Sequence, residues 1–280
     1  METKYLYVTL SGGLNDRMSN IYRAYKYCCR MGRILLVDFK TNSYSPSKDY
    51  NTNLRNILSL KQENIISDSN IINSLLNENE NEIIKVETPV YKLHTVKNDW
   101  SNKIIVVLGR GFCNQVKKNK AKERRGEENP KLYPSLVYDF FFNSIILNQN
   151  IKKYCKKNFK TLPEHYSVIQ IRNTDRSTNY IDFFSKHTKS CCKTIYVATD
   201  SKLVLEKLRT KFTSFNFINF TEFPNDEVPL HKCNLDGYTK LRDVFLDLYI
   251  CSKSCKFFTN SPGRFSLLCK YIQQNKTKIG

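Results

Sequence analysis

The sequence predicts an α/β protein of two halves, each a parallel sheet flanked by helices, with a ligand in the cleft between them. Three observations predict it. Short apolar runs alternate with amphipathic helical stretches along most of the chain. Residues 5–38 read as a complete β-α-β unit. In the second half, three strands each run directly into a polar loop: SVIQIRNTDR (167–176), IYVATDS (195–201) and FFTNSPGRFSLL (257–268). The C-terminal strand ends of an open parallel sheet form the rim where ligands bind.

The elements follow in order. Tyr5–Leu10 is an apolar strand that ends in the turn Ser11-Gly12-Gly13. A helix from about Asn15 to Met31 carries Ile21, Tyr25 and Cys28 at helical spacing. Arg33–Asp38 (RILLVD) returns as the second strand. Thr41–Asn53 is polar and reads as a loop, and Asn53–Leu76 as one or two helices. Lys103–Leu108 (KIIVVL) is a third strand, closed by Gly109-Arg110-Gly111. Gln115–Lys131 is dense in charge and reads as an exposed loop; Tyr133–Asn150 is apolar, aromatic and helical. The domain boundary is expected in the stretch after Asn150, giving an N-terminal domain of residues 1–155 and a C-terminal domain of 156–280. Strands at Ser167–Ile171, Thr194–Ala198, Asn216–Phe220 and Lys256–Thr259 then alternate with helices. The strongest of these helices, Thr239–Ser252, sets Leu241, Val244, Phe245, Leu248 and Tyr249 on one face. A last helix runs from about Gly263 to Gln273.

At 280 residues, with 40% hydrophobic and 12% aromatic residues, the chain can bury a sizeable core. METKYLYVTLSGG is too short an apolar run for a signal peptide, and no stretch approaches the roughly 20 apolar residues of a membrane span. The ten cysteines show no Cys-x-x-Cys, and the four histidines do not cluster. They read as free thiols in a reducing compartment, so a cytoplasmic location is expected. The formal charge of +19 favours anionic partners, although abundant Lys, Asn and Ile also fit AT-rich coding.

Four motifs carry chemistry. Gly12-Gly13-Leu14-Asn15 lies where a strand turns into a helix, so backbone can approach a ligand beside free helical N–H groups. The alternative is a tight strand–helix turn. Arg172 follows its strand directly and offers a guanidinium fork to a diphosphate. Asn173 shares its loop, and Asp175 there either holds the arginine or binds a sugar or base. Asp200-Ser201 serves a ligand or caps a helix. Asn260-Ser261-Pro262-Gly263-Arg264 gathers amide, hydroxyl and cation at a helix start, which suits phosphate. No Asp-x-Asp occurs, so no carboxylate pair of the metal-dependent glycosyltransferase kind is present.

With these motifs in order, the chain resembles the fucosyltransferase superfamily of GT-B glycosyltransferases. The resemblance rests on Gly12-Gly13-Leu14-Asn15 with Arg17; on Gln170-Ile171-Arg172-Asn173-Thr174-Asp175 in place of a His-x-Arg-x-x-Asp element; on Ala198-Thr199-Asp200-Ser201; and on the Ser-containing turn Thr259–Ser266. Length and Lys/Asn richness are similar, more weakly, to small glycosyltransferases of large algal viruses. The resemblance implies two Rossmann-type domains facing a cleft, a nucleotide-sugar donor, inversion at the anomeric carbon and no metal or other cofactor. It implies that Arg172 contacts the donor diphosphate. Asp200, Ser201, Ser261, Arg264, Phe265 and Ser266 would line the donor site, and Gly13 and Asn15 would face it from the acceptor-side domain. Gln170 replaces the family histidine, which leaves fucose from GDP-fucose or a pentose such as xylose from UDP-xylose as the sugar transferred.

The expected reaction is attack of a hydroxyl, on an oligosaccharide or glycoprotein glycan, at the sugar's anomeric carbon. Arg172 and Arg264 stabilise the leaving diphosphate, and Asp16 is the first choice of base, unless it only caps the first helix. Two other classes remain open: a basic nucleic-acid-binding protein, for which no reading motif is found, and a glycan-binding module without catalysis.

Overall fold

The structure, a computed structural model, describes residues 2–10, 14–38, 57–86, 93, 101–108, 133–173, 178–223, 233, 235–261, 263–277 and 279. The expected loops at 41–53 and 115–131 and the turn at 109–111 lie outside them. The chain divides into two compact units between Ile146 and Leu147.

The first unit holds a five-stranded sheet ordered β4-β2-β1-β6-β5: β1 Lys4–Thr9, β2 Arg33–Asp38, β4 Ile65–Ile66, β5 Ile83–Val86 and β6 Ile104–Leu108. All its pairings are parallel. Helix α1 (Leu14–Met31) makes the crossover from β1 to β2, and α2 (Ser69–Glu78) follows β4. Leu6, Val8, Met18, Ile21, Leu35 and Val37 are fully or almost fully buried, so β1, α1 and β2 share one core. Arg33 is buried because its Nη1 donates to the carbonyls of Tyr5 and Asn102, both at 3.1 Å. That satisfies a charge which would otherwise be costly inside. At the other edge Tyr7 donates its hydroxyl to Asp38 at 3.0 Å.

Two expectations hold only in part in this unit. Within Asn53–Leu76, as far as it is described, β3 (Leu58–Leu60) and β4 come first, and the helix expected there, α2, starts only at Ser69. Tyr133–Asn150 is not one helix: α3 (Tyr133–Ser144) gives way to β7 (Ile145–Leu147), which pairs with β3, and α4 (Gln149–Phe159) then starts. Ile145 and Leu147 are buried while Ile146 is exposed, the two-residue alternation of a strand. Three apolar residues, Ile145–Leu147, are too few to show that alternation in the sequence, and the aromatic run Phe140–Phe142 just before them reads as helix.

The second unit is a four-stranded parallel sheet ordered β10-β9-β8-β11: β8 Ser167–Ile171, β9 Thr194–Thr199, β10 Asn216–Ile218 and β11 Lys256–Thr259. Helices α5 (Tyr180–His187) and α6 (Lys202–Lys211) cover one face. Tyr180, Phe184, Val204 and Leu208 pack there on Ile169, Ile171, Ile195 and Val197. Helices α7 (Gly237–Lys253) and α8 (Arg264–Asn275) cover the other, where Tyr196 and Gln170 reach them by hydrogen bonds. Strand neighbours point to opposite faces, so Gln170 belongs to one layer and Ile171 to the other.

Helix α7 is wider in its burial than its pattern promised. Leu246, Ile250, Asp243 and Asp247 are buried together with Leu241, Phe245 and Leu248. Asp247 accepts the Tyr196 hydroxyl at 2.6 Å, and burial pushes its carboxyl up to about 8. Asp243, one turn earlier, accepts from Tyr154 at 3.2 Å, from Arg242 Nε at 3.0 Å and from the Glu222 N–H at 2.9 Å. Burial raises its carboxyl too, against those bonds.

Candidate functional site

The parallel order of β9, β8 and β11 brings their C-terminal ends to one rim, and the three polar loops of the second half converge there. Strand β8 is buried along its whole length, which fixes the point from which Arg172 leaves the sheet. The Arg172 N–H donates to Ser261 Oγ at 3.1 Å, tying the loop after β8 to the loop after β11. The next N–H, of Asn173, donates to Asp200 Oδ1 at 3.1 Å, tying the same loop to the end of β9. The turn after β11 is internally braced, because Thr259 Oγ1 accepts from the Ser261 N–H at 3.0 Å.

Gln170 is the buried anchor under this rim. Its Oε1 accepts from Thr259 Oγ1 at 3.0 Å and from Ser266 Oγ at 2.5 Å. One carboxamide oxygen thus joins β8, β11 and the first turn of α8. A carbonyl oxygen has two lone pairs, and both are used.

The geometry at the start of α8 is the central feature. Gly263 is its N-cap, with φ −76° and ψ 155°, and it supplies no side-chain cap. A methyl group built on Gly263 would lie 3.8 Å from Ser266 Oγ and 3.9 Å from Arg172 Nη1. The Arg172 guanidinium therefore stands beside the first turn of α8. The N–H groups of a first helical turn lack intrahelical acceptors and carry the positive end of the helix dipole. A cation and a helix N-terminus brought together favour an anion with several oxygens.

The residues singled out in the sequence divide as follows. Arg172, Asn173, Asp200 and Ser261 meet at the rim through the bonds above. Ser201 is buried and acts as the N-cap of α6, its Oγ accepting from the Val204 N–H at 3.3 Å. Ser266 is buried with its hydroxyl on Gln170, while Arg264 is exposed and Phe265 half-buried in the first turn of α8. In the first unit, Asn15 and Asp16 occupy the first turn of α1. Asn15 is buried, and its Oδ1 has no hydrogen-bond partner among the described residues. Gly12, Gly13, Asp175, Arg176 and Pro262 lie outside the described residues. The bracing by Thr259 and the double acceptor role of Gln170 are not legible in the sequence, since neither residue type at a strand end signals which hydroxyls it meets. Asn260, just before Ser261, also keeps a buried Oδ1 without a partner among the described residues. Among those residues no group of three or more His, Cys, Asp or Glu is placed to hold a metal ion. Nine described cysteines carry free thiols, and no described helix is long and apolar enough to cross a membrane.

No protein-family model matches the sequence, and no curated protein does. Solved structures do match. The fucosyltransferase NodZ from Bradyrhizobium aligns over 98% of this chain and 92% of its own at a TM-score of 0.61 and 13% identity. POFUT1 in complex with GDP aligns over 99% and 96% at 0.57 and 10% identity. FUT1 of Arabidopsis thaliana, in complex with GDP, aligns over 97% of this chain and 69% of its own at 0.53 and 11% identity. At such identities the likeness speaks to architecture, and over nearly its whole length this chain has the α/β fold of these GT-B fucosyltransferases.

Proposed function

We propose that the protein is an inverting glycosyltransferase that takes its sugar from a nucleoside diphosphate donor without a metal ion. The observation that carries this reading is the convergence of the Arg172 guanidinium with the uncapped first turn of α8 at the rim of the second unit. Two positive features at one point suit the diphosphate of a leaving nucleotide, whose charge grows as the glycosidic bond breaks. Charge neutralisation by fixed protein groups replaces the work of a divalent ion. The fold likeness supports the same reading, because the aligned crystals include NodZ α-1,6-fucosyltransferase soaked with GDP-fucose and POFUT1 bound to GDP.

In this mechanism Arg172 and the α8 N–H groups hold the diphosphate, and Ser261 and Asp200 hold the Arg172 loop in place. Arg264, Phe265, Asn173 and Asp175 line the donor. The Asn15 carboxamide oxygen, buried and without a described partner, accepts a hydroxyl of the sugar or the acceptor. Asp16 takes the proton of the attacking glycan hydroxyl as the new bond forms on the face opposite the leaving nucleotide. The first unit supplies the acceptor side and the second unit the donor site. The reaction runs in the cytoplasm, a compartment that suits the free thiols. GDP-fucose is the first choice of donor and UDP-xylose the second.

Calorimetry against GDP, UDP, GDP-fucose and UDP-xylose, with and without EDTA, tests the reading. Expected is EDTA-insensitive binding of one nucleotide, weakened about 10- to 100-fold in Arg172→Ala, since hydrogen bonds to charged groups contribute about 1.5–3 kcal/mol. Asp16→Asn should keep that binding and lose transfer. Absence of nucleotide binding, or unchanged affinity in Arg172→Ala, removes the donor-site assignment.

A further inference from the structure

The edge of the second unit opposite the rim has its own chemistry. Helices that return between parallel strands end at the strands' N-terminal edge, so the ends of α4, α6 and α7 gather there. Each ends in exposed lysine: Lys156 and Lys157 on α4, Lys211 on α6 and Lys253 on α7. Attraction of cations to helix C-termini accounts for part of this. The same holds for the exposed Lys160, the C-cap of α4, and Lys189, in the turn that ends α5, but not for Lys193 and Lys256, which are exposed at the starts of β9 and β11 on the same edge. None of these eight lysines forms an ion pair among the described residues. The carboxylate of Glu164, just before β8, is the one acidic group of this edge among the described residues. The other described acids of the unit sit elsewhere: Asp182, Asp200, Glu222 and Asp236 towards the rim, Glu206 within α6, and Asp243 and Asp247 inside.

The edge is one continuous surface. The Cys192 N–H donates to Ser167 Oγ at 3.0 Å and the Cys255 N–H to the Tyr166 carbonyl at 3.0 Å, which join the starts of β9, β8 and β11. Lysine ammonium groups lace it further: Lys256 reaches the Ser190 carbonyl at 2.7 Å, and Lys276 reaches that of Ser254 at 2.5 Å. Strand spacing alone makes the front about 15 Å wide, with helix ends widening it on both sides.

We propose that this basic edge is a docking surface for a membrane leaflet rich in anionic lipids. A broad front of charge meets a plane rather than a strand lying in a groove. The charges are ammonium groups on flexible stems, suited to diffuse attraction; paired recognition of nucleic-acid phosphates favours arginine. The rim with Arg172 lies at the opposite ends of the same strands, so the surface and the donor site serve together without overlapping. The surface does not depend on the reaction proposed above.

The test uses the full chain and sedimentation with phosphatidylcholine vesicles, with and without phosphatidylserine, over rising salt. Two variants of equal charge loss are compared. One removes the edge (Lys156→Gln, Lys157→Gln, Lys160→Gln, Lys253→Gln); the other removes exposed lysines elsewhere (Lys61→Gln, Lys85→Gln, Lys202→Gln, Lys270→Gln). Expected is salt-sensitive binding only to the phosphatidylserine vesicles, on the order of a thousandfold weaker in the edge variant and less than about tenfold weaker in the control. Three results overturn the proposal: no binding to those vesicles at low salt, equal losses in both variants, or tighter binding to a single-stranded oligonucleotide that the edge substitutions abolish. Unchanged thermal midpoints in both variants exclude misfolding as the cause.

Discussion

Replacing Asp247 by Asn should stabilise the protein at neutral and alkaline pH. Asp247 is buried in α7 and accepts the Tyr196 hydroxyl at 2.6 Å. Asp243 and the Cys251 thiol share its helix, the Cys155 thiol on α4 and the Cys269 thiol on α8 lie near it, and none of these offers a positive charge. Burial, opposed by the Tyr196 bond and helped by Asp243, pushes its carboxyl from the ordinary 3.8 to about 8. Between those values the folded chain holds a proton that the unfolded chain has released. Stability is therefore greatest below 3.8, falls as pH rises towards 8, and is level above it. At 1.36 kcal/mol per pH unit the whole window corresponds to about 6 kcal/mol. Asn keeps the shape and the acceptor oxygen for Tyr196 but does not titrate. The gap between variant and wild type should widen by about 1.4 kcal/mol per pH unit across that window. Urea unfolding of both proteins from about pH 5 to about pH 9 measures it. Parallel stability curves would refute the buried neutral acid.

Further predictions concern the rim. Gly263→Ala meets only ordinary contacts at 3.8 Å and 3.9 Å and an unstrained φ of −76°, so it should fold normally. Its methyl group would nevertheless stand between Arg172 and the start of α8, and nucleotide affinity measured by calorimetry should fall about tenfold, or about 1.4 kcal/mol; full affinity would place the diphosphate elsewhere. Gln170→Leu strands the hydroxyls of Thr259 and Ser266 and should cost about 2–3 kcal/mol in urea unfolding. Gln170→Glu, which keeps both acceptor contacts, should hold the rim better than Gln170→Leu, and equal nucleotide affinity in the two would show that the anchor has no part in shaping the site.

What the sequence determined by itself was local. Arg33–Asp38, Ser167–Ile171 and Lys256–Thr259 match their strands because each is a short apolar run bounded by polar or glycine-bearing turns. Arg172, Asp200 and Ser261 could be marked because a polar side chain directly after such a strand falls on the rim of a parallel sheet. Where an apolar run is as short as Ile145–Leu147, period two and period 3.6 cannot be told apart, and that strand was hidden within an expected helix. The tertiary structure decided which of these groups meet. Strand order placed β11 beside β8, and only that pairing lets Gln170 reach Thr259 and Ser266 and brings Arg172 to the head of α8. It also made Asp247 a neutral buried acid, because a helix wheel shows where a carboxylate points but not that a second helix and a tyrosine close over it. Hydrogen bonds between residues some 90 positions apart are set by topology, and no local pattern of charge or apolarity encodes them.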